Sequence, residues 1–199
     1  MLVDVNMLKK QERDFFERYT PEVAVELLGC LLVRKIGNKY VSGVIVEDEA
    51  YRGFDDPASH AYRGITQRNE VMFGEPGHAY VYFTYGFHHC LNITTEPEGI
   101  PGAVLIRALQ PYHGVDIMMR NRGILDPINL TNGPGKITKA LMIDRRQNGL
   151  DIVRSEELFI TERIVKNFDV ASGSRIGIKR GKDLKWRFWI KGNKHVSRY

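Results

Sequence analysis

The chain has 199 residues, of which 43% are hydrophobic and 27% are charged, and its formal net charge is +5. This composition is typical of a globular protein, and a chain of this length buries one core, so we expect a single domain over residues 1–199. No stretch approaches the roughly 18 unbroken apolar residues that cross a bilayer, and the first residues lack the apolar core of a signal peptide. The sequence therefore predicts no membrane partner and a cytoplasmic location.

The positive charge is concentrated toward the end of the chain. Residues 175–199 carry a net charge of +8, because they contain a single acid, Asp183. Their basic residues are Arg175, Lys179, Arg180, Lys182, Lys185, Arg187, Lys191, Lys194 and Arg198. Aromatic residues lie between them, and this mixture is typical of surfaces that neutralise phosphates. The alternative, which is compatible with the first, is that Trp186, Phe188 and Ile190 form one face of a core strand.

The first predicted elements are a helix and a hairpin. Thr20 suits an N-cap and Pro21 suits the first helical turn, and a helix that starts there should end near Gly29. Two strands follow at 31–36 and 40–51, and a tight turn joins them.

The rest of the chain is predicted to contain short strands and short helices. The strands are expected at 78–84, 88–95, 103–111, 157–162, 175–179 and 185–190, and the helices at 67–73, 114–122 and 135–143. Cys30 and Cys90 lie in apolar segments, which favours buried thiols over a disulfide or a zinc site. Hairpins with few crossover helices predict an α+β fold, a single compact domain with a curved, mostly antiparallel sheet and flanking helices.

The clearest functional pattern is VEDEAYRGFDDPASH, residues 46–60. Because side chains alternate along a strand, Glu47, Glu49 and Tyr51 would share one face, whereas Asp48 would point to the other. A carboxylate beside a tyrosine at a strand end suits the wall of a cleft. Taken alone, these residues favour the alternative of a solvated strand terminus.

Other strands add polar side chains that could join this wall. Tyr80 and Tyr82 share a strand face, and Asn92 lies on the returning strand. Arg107 is a charge within an apolar strand, where burial without a partner is costly. Together with Glu49 these groups would form a pocket for a flat, electron-poor ring. The alternative is a packed stripe of tyrosines with their hydroxyls at the rim.

Five separated motifs carry a resemblance to a known family. They are EAYRGFDDPASH (49–60), PGHAYVYFTYGFHHCLNI (76–93), VLIRALQP (104–111), GPGKITKAL (133–141) and RIGI (175–178). In this order they resemble the alkyladenine (3-methyladenine) DNA glycosylase family, monomeric repair enzymes that remove alkylated and deaminated purines. The resemblance implies a single compact α+β domain, which agrees with the predicted elements.

The resemblance also implies roles at a reaction centre. Glu49 matches the general base that activates the attacking water, and Arg107 matches the arginine that helps to hold this water. The main chain at Ile176 matches the carbonyl that completes the water site. Since no lysine is placed for Schiff-base chemistry, we expect hydrolysis to an abasic site without strand cleavage, and no cofactor.

Further matches concern the damaged base. Tyr51, His60 and Tyr82 match the residues that sandwich a base flipped out of the duplex. Asn92 matches an amide that excludes purines with the exocyclic amine of guanine. Tyr85 matches the side chain that fills the gap left in the duplex.

Contacts with DNA phosphates are predicted at four cations. Lys136 follows a Gly-Pro-Gly helix start with free main-chain amides, although residues 132–136 fit an ordinary helix start equally well. Arg175, Lys179 and Arg180 belong to the basic segment.

The expected partner is damaged double-stranded DNA, bound by a monomer that is nucleoid-associated if the source is bacterial. Asp55, Asp56 and His60 are too few ligands for a metal site, so none is predicted.

One alternative is a non-catalytic nucleic-acid-binding module resembling the tRNA-binding C-terminal domain of formyltransferases, which leaves Glu49 and Arg107 without a role. Another, a hydrolase of free nucleosides, does not explain the basic segment.

Overall fold

The computed structural model describes residues 5–84 and 86–197 and contains four α-helices and eight strands within those ranges. The helices are α1 (Arg13–Phe16), α2 (Thr20–Leu27), α3 (Val115–Arg122) and α4 (Pro134–Ala140). The strands are β1 (Cys30–Ile36), β2 (Lys39–Arg52), β3 (Ala79–Thr84), β4 (His88–Thr95), β5 (Gly102–His113), β6 (Leu158–Arg163), β7 (Val170–Gly173) and β8 (Arg187–Ile190). In the described part of the chain, no helix has the length and apolar character needed to cross a membrane.

All eight strands form one antiparallel sheet with the order β3-β4-β5-β2-β1-β6. The long strand β2 organises it. Strand β5 pairs along one edge of β2, whereas the other edge is shared, with β1 pairing over 39–44 and β8 over 47–49. Strand β7 pairs with β8 and extends that side. The predicted α+β fold, a mostly antiparallel sheet with flanking helices, is confirmed.

The pairing of β2 with β5 is irregular beside the acidic residues. Glu47 pairs with Ala108, and the next residue, Asp48, pairs with Ile106. The register therefore skips Arg107. Irregularities of this kind bend a strand, increase its twist and re-aim side chains, and they are frequent next to active sites.

The core lies between the sheet and the helices packed on it. Helix α2 buries Val23, Ala24 and Leu27. Full removal from water of the larger side chains, Val23 and Leu27, contributes about 1.5–3 kcal/mol each. Cys30 and Cys90 are buried free thiols, as predicted.

Most predicted elements are present with shifted ends. Helix α2 begins at Thr20 itself, and the Thr20 hydroxyl donates a hydrogen bond to Glu96 instead of capping the helix. The helix predicted at 67–73 is a short 3₁₀ turn, Glu70–Phe73. These shifts do not change the arrangement of the sheet.

The strand predicted at 175–179 is wrong. These residues belong to the loop between β7 and β8, and the strand of this region is Val170–Gly173. Gly177 has a φ angle of 74°, in the left-handed region, which an extended strand does not allow. This loop brings Ile176 to the candidate active site.

Candidate active site

A cavity of about 420 Å³ is lined by residues of strands β2 to β5 and by the loop after β7. Its polar and aromatic lining residues include Tyr51, His60, Tyr80, Tyr82, Asn92 and Arg107. The loop adds Ile176, Lys179 and Arg180 to the same lining. The structure thus brings together nine residues that the sequence singled out in separate segments. Tyr85 lies outside the described residues.

Glu49 is fully buried next to this lining, and three groups converge on its carboxylate. The Tyr51 hydroxyl donates to Oε2 at 2.7 Å, and the Ile176 amide donates to Oε1 at 2.7 Å. Arg107 Nη1 lies 3.4 Å from Oε1. Burial raises the pKa of Glu49, and the three groups oppose that rise because each favours the ionised form. A carboxylate tuned in this way is suited to accept a proton.

Arg107 is held by a second buried acid, Glu47. Arg107 Nε donates to Glu47 Oε1 at 3.1 Å, and Arg187 Nε donates to the same oxygen at 2.7 Å. Ser197 adds its amide at 2.6 Å and its hydroxyl at 2.8 Å. Burial of Arg107 is therefore compensated by Glu47 as well as by Glu49. Alternation placed Glu47 on the correct face, but it carries no information about partners as remote as Arg187 and Ser197.

The aromatic wall is built by β3 and by the loop that carries His60. The ring centroids of His60 and Tyr82 are 4.7 Å apart, and those of Tyr80 and Tyr82 are 5.3 Å apart. His60 Nδ1 lies 3.0 Å from the Tyr80 hydroxyl oxygen. Partial burial, and then the charge of Arg68, lowers the pKa of His60 to about 4, so this ring is neutral near neutral pH. The wall therefore presents uncharged rings.

Two further groups shape the wall. The Asn92 side-chain amide donates to the Tyr80 carbonyl oxygen at 3.0 Å, which fixes its orientation in the cavity. The Arg68 guanidinium lies 4.9 Å from the ring centroid of Tyr82. Arg68 was not predicted as a site residue: the sequence assigned it to a helix at 67–73, whereas the structure places it in the turn before the 3₁₀ helix Glu70–Phe73.

The predicted phosphate contacts have different surroundings. Lys179 and Arg180 are exposed where they line the cavity. Lys136 is half-buried at the start of α4 and donates to Asn132 Oδ1 at 2.7 Å, and burial lowers its pKa. Lys136 is not among the residues that line the cavity, although the neighbouring Pro134 is.

Arg175 does not have the exposed position that a phosphate contact requires. Its side chain is fully enclosed and forms an ion pair with Asp56, which is equally enclosed. The predicted DNA contact is therefore replaced by an internal one. The error arose because Arg175 belongs to a basic segment that, as composition alone, is typical of a surface.

One group in the described part of the chain, Glu75, His78 and Asp151, has ligand atoms close enough together for a metal ion. Arg13 Nη2 already lies 2.6 Å from the Asp151 carboxylate and 3.4 Å from that of Glu75. A guanidinium thus supplies the positive charge there. None of these residues lines the cavity.

The sequence profile of the methylpurine-DNA glycosylase (MPG) family matches residues 14–194. A protein of Carboxydothermus hydrogenoformans is 50% identical over 187 residues, which are 94% of this chain and 97% of the relative. A protein of Chlorobium phaeobacteroides is 46% identical over 187 residues, covering 94% and 95%. One of Clostridium acetobutylicum is 45% identical over 197 residues, covering 93% and 96%. All three are named "Putative 3-methyladenine DNA glycosylase".

The profile match and these relatives cover nearly the same residues, and they agree with the resemblance carried by the five motifs. They include the strands and loops that bring Glu49, Arg107 and the aromatic wall to one cavity. The chain belongs to the methylpurine-DNA glycosylase family.

Proposed function

We propose that this protein is a base excision repair glycosylase that hydrolyses the N-glycosidic bond of an alkylated or deaminated purine in duplex DNA. The product is an abasic site, and the strand is not cut. The observation that carries the proposal is the convergence of the Tyr51 hydroxyl, the Ile176 amide and Arg107 on the buried Glu49. The names of the relatives support the same activity.

The cavity has the size and lining expected of a site for one base. Its volume of about 420 Å³ falls at the lower end of the usual range for small-ligand pockets, about 300–1,000 Å³. A duplex cannot enter such a space, so the target nucleotide must rotate out of the stack. Unstacking costs a few kcal/mol, and Tyr85 is proposed to offset part of this cost by filling the gap in the duplex.

The reaction needs only one carboxylate when the leaving base is cationic. A water molecule held between Glu49 and Arg107 attacks C1′ as the bond from C1′ to the purine breaks. The water proton goes to Glu49, whose negative charge also stabilises the positive charge that develops on the sugar. A cationic base such as 3-methyladenine takes the bonding electrons and leaves as a neutral molecule. Glycoside hydrolases usually need a second carboxyl group, because their leaving oxygen must be protonated.

The aromatic wall is proposed to select the base. Tyr51, His60 and Tyr82 would stack on the flipped purine, and cation–π attraction favours a cationic one by about 1–2 kcal/mol when water is excluded. A neutral His60 adds no repulsion. Asn92, oriented by its hydrogen bond to the Tyr80 carbonyl, would clash with the exocyclic amine of guanine.

Damaged double-stranded DNA is the proposed partner of a monomeric enzyme. Lys179 and Arg180, which are exposed at the cavity, are proposed to contact phosphates beside the flipped nucleotide. Such contacts fix the position of the duplex and make its binding sensitive to salt.

Excision from duplex oligonucleotides tests the proposal. Each oligonucleotide carries one hypoxanthine or ethenoadenine, and alkaline cleavage reveals abasic sites; release of 3-methyladenine from methylated DNA is measured in parallel. The protein should release at least one of these bases, and Glu49→Gln should slow release by about 10²–10⁴-fold, the usual contribution of a general base. Glu98→Gln, an exposed change of the same kind, is the matched control.

Two results would contradict the proposal. If the protein binds duplex DNA but releases no base, it is a binding module on this fold. If Glu49→Gln releases bases at the wild-type rate, Glu49 is not the base. Covalent trapping by borohydride would separately refute hydrolysis without strand cleavage.

A further inference from the structure

The two terminal nitrogens of the buried Arg175 side chain have hydrogen-bond partners, whereas Nε has none among the described residues. Nη2 donates to Asp56 Oδ1 at 2.7 Å, and Nη1 donates to Asp56 Oδ2 and, at 2.8 Å, to the Ala50 carbonyl oxygen. The side chains of Arg175 and Asp56 are both fully buried. A bidentate ion pair of this kind fixes the plane of the guanidinium. It joins the loop after β7 to the end of β2 and to the loop that follows β2.

The flat faces of Arg175 are covered as well. Its guanidinium carbon lies 4.6 Å from the ring centroid of Tyr51 and 5.4 Å from that of Trp186. Tyr51 lines the cavity, whereas Arg175 does not. The guanidinium therefore packs against Tyr51 without lining the cavity itself.

The residue after Arg175 contacts the proposed general base. The Ile176 amide donates to Glu49 Oε1 at 2.7 Å. It does so from a loop with no helix or strand between Gly173 and Arg187, so no ladder of main-chain hydrogen bonds fixes this amide. The side-chain contacts of Arg175 supply the missing constraint.

We propose that Arg175 is a positioning residue for base excision, because its ion pair with Asp56 holds the Ile176 amide on Glu49 and the Tyr51 ring at the cavity. This inference rests on the proposed function. It assigns Arg175 a role beneath the reaction centre instead of a contact with DNA.

Loss of this constraint has a specific consequence for Glu49. Its Oε1 would lose the hydrogen bond from Ile176, which favours the ionised carboxylate, so the pKa of Glu49 would rise further. The other titratable groups around Glu49 are Glu47, Asp48 and Tyr51 on β2, Cys90 on β4, Arg107 on β5 and Arg187 on β8. Of these, Tyr51 packs against Arg175, and displacement of its hydroxyl from Oε2 would raise the pKa of Glu49 in the same direction.

The test compares Arg175→Lys and Asp56→Asn with the wild type. Lysine keeps the charge but loses the planar fork, and asparagine keeps the shape but neutralises the ion pair. Single-turnover release of hypoxanthine is measured from about pH 5 to about pH 9. In both variants the acid limb of the profile should move to higher pH by about one unit, which is about tenfold in rate on that limb. Lys191→Gln, which removes an exposed charge from the same basic segment, should leave the profile unchanged.

A merely structural role gives a different result. If the folded variants lose the same factor in rate at every pH, or keep the wild-type acid limb, the proposal is wrong. Far-ultraviolet circular dichroism verifies folding, and either variant alone serves if the other does not fold.

A second readout does not require activity. NMR titration of isotope-labelled glutamate carboxyl groups, assigned with Glu49→Gln, reports the pKa of Glu49 directly. A higher pKa in the variants supports the positioning role even if the wild type releases no base, in which case the proposed function alone fails. An unchanged pKa overturns the positioning role whatever the activity.

Discussion

The two faces of strand β2 show that burial alone does not decide whether an acidic side chain is charged. Glu47, Asp48 and Glu49 are consecutive and all fully buried. On the cavity side, Glu47 and Glu49 are each surrounded by hydrogen-bond donors and share Arg107. On the opposite side, neither oxygen of Asp48 has a hydrogen-bond partner among the described residues. Burial, and then the charges of Glu47 and Glu49, raises the pKa of Asp48 well above its usual value. The supply of partners therefore decides which buried acid remains charged.

We expect the largest loss of stability when charge is removed from the partnered side of β2. Glu47→Gln leaves Arg107 and Arg187 without a full counter-charge, and loss of one member of a buried ion pair costs about 3–5 kcal/mol. Urea denaturation should show this decrease in the free energy of unfolding. Glu162→Gln, at an exposed pair with Lys9, should cost at most about 1 kcal/mol. Equal losses in the two variants would contradict the interpretation.

The pH dependence of stability tests whether the unpartnered Asp48 is protonated in the folded protein. An unfolded chain ionises Asp48 near pH 3.9, whereas the folded protein keeps it protonated to higher pH. Its contribution to stability is thus fully present below about pH 4 and decreases by about 1.4 kcal/mol per pH unit until the raised pKa is reached. Asp48→Asn should remove this slope from unfolding measured across pH. A difference from the wild type that is constant in pH would refute a protonated Asp48; the exposed Asp183→Asn is the control.

The pH dependence of catalysis extends the comparison to Glu49, which must be ionised to act. Because its pKa is raised, excision should slow about tenfold per pH unit below that pKa for every substrate. A neutral base such as hypoxanthine must also be protonated to leave, so its rate should fall again at alkaline pH. A cationic base such as 3-methyladenine should show no alkaline decrease. Identical profiles for the two bases would contradict the proposed chemistry.

Exposed cations should give the smallest effect. Lys179 is exposed at the cavity, whereas Arg187 is buried on Glu47. Lys179→Ala should weaken binding to all duplexes alike and reduce the slope of log affinity against log salt by about one. A fluorescence titration at several salt concentrations measures that slope. An unchanged slope would show that Lys179 does not contact a phosphate.

Alternation along strands explains how much of the site the sequence could predict. It placed Glu47, Glu49 and Tyr51 on one face, and the structure joins them through Arg107 and through the Tyr51 hydroxyl. Alternation also predicted most of the strands. The two hairpins, β1–β2 and β3–β4, were predictable because they pair segments that are close in the chain.

The remaining features depend on contacts that no local pattern encodes. Gly177 turns left-handed where the alternation in RIGI predicted a strand. Arg175 is internal because Asp56, 119 residues earlier, neutralises it. Arg68 lies over Tyr82 from an irregular segment. Composition described the basic segment as a surface, but tertiary pairing determines which of its cations are exposed.

The anchoring of Glu47 has a consequence for how the protein acquires its structure. The three residues that donate hydrogen bonds to its carboxylate, Arg107, Arg187 and Ser197, are 60, 140 and 150 positions away in the chain. Contacts between such distant segments require large loops to close, which slows folding. The β1–β2 hairpin can form early from neighbouring residues, and it then carries three adjacent carboxylates whose mutual repulsion no cation yet relieves. We expect Glu47 and its three partners to reach their native arrangement late, after the rest of the sheet has assembled.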